Sequence, residues 1–187
     1  MNLDYIFPYI ILKEELDENT LSSIKKQVES KFSNINELLY SNEWEDNIHS
    51  TFTNCKCIIT KLNLTLVEDI INPLVNSFYK TLNLKQTTSP VLVSSWINIS
   101  QPNGFQDLHI HGHNYISGVL YLDAPENSGN IQFQPPLPEI TFKNVKNYTP
   151  KNGQVFIFHG QTPHRVLYNK TNMNRISLSF NYKYDVV

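Results

Sequence analysis

Three histidines in this chain are spaced to hold one metal ion. His109-Ile110-His111 is an i, i+2 pair, and His164 follows far downstream. Alternate side chains on a β-strand share a face, so His109 and His111 project together. Neutral imidazole is the commonest metal ligand and needs no large pKa shift to bind. A third ligand from a distant strand completes a facial triad, which leaves adjacent positions of an octahedral ion open. The pair taken alone reads equally as surface residues or as hydrogen-bonded core. His164 and the strand that follows it favour the metal.

That following strand begins at Arg175. In Arg175-Ile176-Ser177-Leu178-Ser179-Phe180-Asn181 the alternation is strict. Ile176, Leu178, Phe180 and Tyr182 take one face; Arg175, Ser177, Ser179 and Asn181 take the other. On an open sheet the polar face would meet water. In a barrel it can line a cavity instead, where Arg175 offers a fork of donors matched to a carboxylate and Ser177 adds a hydroxyl on the same face. Two further strands have the same character. Trp96 and Asn98 lie opposite Ile97 and Ile99, and Ser117, Val119 and Tyr121 share one face.

The elements that must position these residues divide near residue 88. Before it the signals are mostly helical. Asn19 or Thr20 could cap a helix reaching about residue 32, with Leu21, Ile24, Val28 and Phe32 as its stripe. A short helix is expected at Asn36–Tyr40 and a longer one over 64–81. Leu66, Ile70, Ile71, Leu74, Phe78 and Leu82 form the apolar face of the longer one, and Pro73 marks a kink or entry point. The polar stretch containing Trp44 and His49 has no clear form, and Thr51–Ile59 reads as a strand. From 89 onward short strands alternate with turns: Val91–Ser100, Gln106–His111, Ile116–Leu122, Asn130–Gln134, Gly153–His159, His164–Tyr168 and Arg175–Tyr182. Such a run means a barrel or sandwich. The expectation is one domain over 1–187, with 1–88 as helical support and 89–187 as the core.

Composition sets the outer bounds. The chain has 187 residues, 40% hydrophobic and 17% charged, which suits a globular domain and not a disordered one. A net charge of −2 gives no basic stripe for nucleic acid. No apolar run approaches the ~20 residues that span a bilayer. The N-terminus is a poor signal peptide, so a cytoplasmic location is expected. Cys55 and Cys57 are read as free thiols, because i, i+2 positions on a strand stand near the upper limit of bridging geometry.

Read together, the stretch from Trp96 to Asn181 resembles the 2-oxoglutarate/Fe(II) oxygenase superfamily. More narrowly it is similar to a group of small 2OG-Fe(II) oxygenases of marine bacteria and phages. The matching text is Ser95-Trp96-Ile97-Asn98, His109-Ile110-His111, Ser117 to Leu122, Gly129 to Phe133, Pro150-x-x-Gly153, His164-Arg165-Val166 and Arg175 to Asn181. The resemblance implies a mainly β fold, a double-stranded β-helix (jelly roll, cupin-like) with helices packed on one outer face. It implies Fe(II) held by His109 and His164. It also implies 2-oxoglutarate as co-substrate, its distal carboxylate paired with Arg175 and helped by Ser177, Tyr121 and Asn98.

One departure stands out. The superfamily pattern is His-x-Asp/Glu…His, and the middle position here is His111. An imidazole there leaves the iron one charge more positive, which should raise its reduction potential. Asp107 shares the face by period 2 and is the alternative middle ligand. His113 is expected at the mouth, and His159 in a structural place or near the entrance. Expected partners are 2-oxoglutarate, O₂ and a substrate the sequence does not name, with neither nucleic acid nor membrane and a homodimer left open. The default reaction is hydroxylation of a small metabolite or a protein side chain. Rival readings are a cupin-type three-histidine enzyme that needs no Arg175, and a non-catalytic β-barrel or virion-associated module. Gln134–Tyr148 and Tyr40–Cys57 are the candidate lids.

Overall fold

A computed structural model describes residues 9–41, 47–82, 88–135 and 145–185. Among these residues eleven strands form two antiparallel sheets. In chain order they are β1 (Ile11–Glu15), β2 (Tyr40–Ser41), β3 (Ile48–Ser50), β4 (Val91–Ser100), β5 (Gln106–His109), β6 (Tyr115–Asp123), β7 (Ile131–Phe133), β8 (Lys146–Tyr148), β9 (Gln154–His159), β10 (His164–Val166) and β11 (Arg175–Lys183). The larger sheet runs β1-β9-β6-β11-β4-β3-β2, and the smaller β5-β10-β7-β8. This is the double-stranded β-helix expected from the sequence.

Among the described residues, the helices α1 (Glu18–Glu29), α2 (Phe32–Leu38), α3 (Ile58–Lys61) and α4 (Thr65–Thr81) precede β4. They bury Ile24, Val28, Val67, Ile71, Val75 and Phe78 in one cluster with Ile97, Leu120, Ile157 and Leu178 of the larger sheet. The outward face of that sheet is therefore apolar because helices cover it. A second cluster, including Val119, Phe133, Phe156 and Phe158, fills the space between the sheets.

Several sequence expectations shift. Helix α1 is capped by Asp17, not Asn19 or Thr20: its carboxylate accepts from the Thr20 N–H at 3.0 Å and the Thr20 hydroxyl at 2.6 Å. The second helix begins four residues earlier than expected. In α4 the buried residues are Val67, Ile71, Val75, Phe78 and Tyr79; of the expected face, Ile71 and Phe78 are buried, Ile70, Leu74 and Leu82 pack partly against the same cluster, and Leu66 is 39% exposed. Pro73 lies inside this helix.

Thr51–Ile59 is not a strand. The chain leaves β3 at Ser50, whose hydroxyl accepts from the Phe52 N–H at 3.2 Å, and the Thr51 carbonyl accepts from the Cys55 N–H at 2.9 Å. Those local bonds turn the backbone out of extended form. Residues 1–88 are also more than helical support. β1 pairs along its whole length with β9, and β3 pairs with β4. Trp44, and most of the loop within Gln134–Tyr148, lie outside the described residues. Cys55 and Cys57 are free.

Leu178, fully buried in the middle of β11, joins helices to sheet. Leu178→Ala should cost about 2–5 kcal/mol of unfolding free energy. A urea midpoint within experimental scatter of the parent protein would show that this contact does not hold the two layers together.

Candidate active site

The pairing of β10 with β5 sets His164 directly opposite His109. Both imidazoles are fixed through Nδ1 by a carbonyl two residues earlier. His109 Nδ1 meets the Asp107 carbonyl at 2.7 Å, and His164 Nδ1 meets the Thr162 carbonyl at 2.9 Å. A carbonyl only accepts, so each Nδ1 carries the proton and each Nε2 keeps its lone pair. This is the outer-shell arrangement that orients histidine ligands and sets their tautomer.

His111 lies two residues beyond the end of β5, so the expected strand to His111 is shorter than read. Its ring still turns toward the other two. His111 Nε2 stands 3.3 Å from His164 Nε2. One nitrogen from each of His109, His111 and His164 lies within 4.8 Å of the others. Ligands at right angles about an ion with bonds near 2.1 Å sit about 3 Å apart. The three donors therefore fit one metal ion with small adjustment.

Aromatic walls surround this group. Trp96 stacks on His111 with centroids 6.2 Å apart and planes at 24°, and Phe158 meets His164 edge-on at 4.6 Å. Burial holds His111 down to about 4, with His109 repelling a second charge and a hydrogen bond to the Asn181 side chain opposing. Burial likewise holds His164 well below its usual value, with His109 and His111 adding repulsion. Both groups are thereby kept neutral at ordinary pH, which is the form that binds a metal.

The same cavity continues to Arg175. Its unfilled space is about 530 Å³, mouth included, and its lining includes the three histidines, Tyr121, Arg175 and Ser177. β11 sits between β4 and β6 in the larger sheet, with Ser177 opposite Asn98 on one side and Tyr121 on the other. A register shift between Ile176 and Ser177 creates that second match, and bulges of this kind re-aim side chains beside sites. Asn98, Tyr121, Arg175 and Ser177 are all buried. Arg175 donates to the Ser128 and Gly129 carbonyls. Among the described residues no carboxylate pairs with it. Burial lowers its pKa, while the same burial pushes the Tyr121 phenol up to about 12, with Arg175 opposing. Gly129 allows this packing: its φ is +98°, and a Cβ there would stand 2.9 Å from the Arg175 guanidinium.

The structure thus gathers His109, His111, His164, Arg175, Ser177, Tyr121 and Asn98 around one hollow. It does not bring Asp107 there. That side chain is exposed, and only its backbone carbonyl serves the site. The strand ends too soon for period 2 to hold from 107 to 111. His113 is exposed, and His159 is hydrogen-bonded through Nε2 to Tyr184 at 2.7 Å. Sequence reasoning missed Phe158 and Asn181 as neighbours of the histidines. Phe158 could have been found from its alternation with Phe156 on β9; the contact of Asn181 with His111 depends on a β5–β6 turn that no local pattern fixes.

Residues 94–181 match the family model described as "Putative 2OG-Fe(II) oxygenase". The strand-rich core of this chain thus matches a 2OG-Fe(II) oxygenase domain. Such an oxygenase uses Fe(II) as its metal and 2-oxoglutarate as co-substrate. Solved structures share the fold at low identity. HygX from Streptomyces hygroscopicus, with nickel, 2-oxoglutarate and hygromycin B bound, is 11% identical with a TM-score of 0.63, over 94% of this chain and 82% of its own. The α-ketoglutarate-dependent epimerase SnoN from nogalamycin biosynthesis is 14% identical with a TM-score of 0.67, over 94% and 78%. A prolyl hydroxylase from Trichoplax adhaerens, in complex with a hypoxia-inducible-factor peptide, is 12% identical with a TM-score of 0.60, over 94% and 83%. A search of curated proteins finds no match.

The depressed histidines make a pH prediction for the metal-free oxygenase. The unfolded chain takes up protons near pH 6.5, and the folded one resists doing so at His111 and His164. The unfolded state then binds more protons, so stability is full above 6.5 and falls as pH drops toward about 4. The slope is up to about 1.4 kcal/mol per pH unit for each group. Urea midpoints of the metal-free protein between pH 7.5 and 5 check this; a flat profile would contradict it.

Proposed function

We propose that His109, His111 and His164 hold Fe(II), and that Arg175, with Ser177, Tyr121 and Asn98, receives the distal carboxylate of 2-oxoglutarate. The observation that carries the reading is the buried Arg175 guanidinium without a carboxylate partner, in the same hollow as the three imidazoles. A buried cation is stable only when its charge is met, and among the described residues only carbonyls and a phenol meet this one. A dicarboxylate bridging the two ends would supply the missing charge.

Each residue then has a definable task. The Nε2 lone pairs of His109 and His164, left free by the Nδ1 bonds to the Asp107 and Thr162 carbonyls, would be two ligands to the ion, and His111 would be the third. Arg175 binds one carboxylate oxygen pair in a fork. The Ser177 hydroxyl and the Tyr121 phenol, held protonated, donate to the same group. Trp96 and Phe158 keep water from the histidines. Bound Fe(II) supplies O₂ activation coupled to oxidative decarboxylation of 2-oxoglutarate to succinate. The expected outcome is hydroxylation of a small metabolite or a protein side chain. The three-histidine set also favours a second reading, a cupin-like enzyme that does not use 2-oxoglutarate; that reading leaves Arg175 without a task.

Two variants test the proposal. Arg175→Ala should abolish Fe(II)-dependent succinate formation from 2-oxoglutarate while metal content stays near one per chain. His164→Ala should lose the metal itself, read by elemental analysis after dialysis. Succinate release that survives loss of Arg175 would favour the cupin-like alternative, and full metal occupancy without His164 would remove it as a ligand.

A further inference from the structure

We infer that Gln161 is the positioning residue for His111. The inference rests on the proposal that His111 is a metal ligand, and it explains how a residue outside the strand is held in place. His109 and His164 stand on paired strands, and ladder hydrogen bonds fix their backbones. His111 has no such ladder. Its two backbone hydrogen bonds both go to the turn between β9 and β10. The His111 N–H donates to the Gly160 carbonyl at 2.7 Å, and the Gln161 side-chain amide donates to the His111 carbonyl at 2.7 Å.

The turn is itself fixed from behind. The Gln161 N–H donates to His159 Nδ1 at 3.2 Å. With Nδ1 accepting, the proton of a neutral His159 sits on Nε2, which donates to the Tyr184 oxygen at 2.7 Å. The Thr162 N–H closes the turn on the His159 carbonyl at 2.8 Å, and the Thr162 carbonyl in turn holds His164. Close backbone approach is part of the device. A Cβ on Gly160 would stand 2.4 Å from the Gly112 carbonyl, so only glycine lets the two segments meet. One five-residue turn, 159–163, therefore sets two of the three imidazoles. For His111 the side chain of Gln161 is half of the attachment.

Removing this amide leaves the imidazole present but its backbone free to swing. Partners of this outer kind typically change metal affinity about 10–100-fold. The test uses Co(II) as probe, whose visible absorption reports ligand number and geometry, in four proteins: parent, Gln161→Leu, His111→Ala and the double variant. Gln161→Glu, which keeps size but replaces the donor by an acceptor, serves as a second variant should the leucine fold poorly. The expected result is a Kd for Co(II) raised about 10-fold or more in either Gln161 variant, with an altered spectrum. In the His111→Ala background the same change should add less than about twofold, because coupled residues are not additive. Equal losses in both backgrounds would mean that the turn merely loosens, and would overturn the inference. So would an unchanged Kd and spectrum in Gln161→Leu beside a clear loss in His111→Ala. If His111→Ala binds Co(II) as tightly as the parent, the three-histidine reading itself fails.

Discussion

The cost of a buried guanidinium governs the design of this protein's interior. Arg175 is 3% exposed and has no carboxylate near it among the described residues. Two backbone carbonyls and a phenol relieve part of the penalty, but a full charge in a low-dielectric place calls for an opposite one. The fold tolerates this because the residue stands at the start of a nine-residue strand at the centre of the larger sheet, paired on both sides. Stability comes from the outward face of that same strand, where Leu178 and Phe180 pack toward the helices. The strand therefore separates two tasks by its period of two: apolar side chains hold the layers together, and polar ones build the hollow.

Two sheets share the site, and neither is sufficient alone. The larger sheet contributes Arg175, Ser177, Tyr121 and Asn98 in adjacent register. The smaller one contributes His109 and His164 as direct cross-strand neighbours. Their relative placement depends on the apolar cluster between the sheets, in which Phe133 packs edge to face on Phe158 and at a tilt against Phe156. A close-packed interior transmits displacement, so the distance from imidazoles to guanidinium is set by aromatic volume as much as by any hydrogen bond.

What could be read from the sequence follows from how local each signal is. Strict alternation in Arg175–Tyr182, and the alternation of Ile97 and Ile99 with Asn98 and Ser100, give both the strands and their inward faces, because side-chain period is a property of a few successive residues. The same holds for Ile24 and Val28 on α1, which ends at Glu29, short of the expected residue 32. By contrast β1 carries Lys13, Glu14 and Glu15 and pairs on one side only, so its alternation is weak and its place at the sheet edge is a tertiary fact. Thr51–Ile59 is rich in strand formers, yet hydrogen bonds from the Phe52 and Cys55 N–H groups to Ser50 and Thr51 bend it. Among site residues, Arg175 and Ser177 follow from period two. His111 reaches the same place by another route, since the strand that would have carried it ends at His109. Asp107 would share the histidines' face only if that strand ran on past His109.

Charge explains why the substitution of a carboxylate by His111 matters beyond its ring. If the three imidazoles hold the metal as proposed, they would leave the whole charge of a divalent ion in the hollow, and Arg175 adds another at the far end. A dicarboxylate would bring two negative charges, so the loaded site would keep one net positive charge where an Asp or Glu ligand would cancel it. In a cavity walled by Trp96, Phe158 and Ile131 that excess is poorly screened. The site is therefore more attractive to anionic groups at its mouth than a carboxylate-ligated one, and less tolerant of a further cation. Each imidazole must also stay unprotonated to bind a metal, and burial with mutual repulsion does this for His111 and His164 directly. A carboxylate in the middle position would favour protonation of its imidazole neighbours, so a neutral residue there works in the same direction as desolvation: both keep protons off the nitrogens and leave the lone pairs free for a metal.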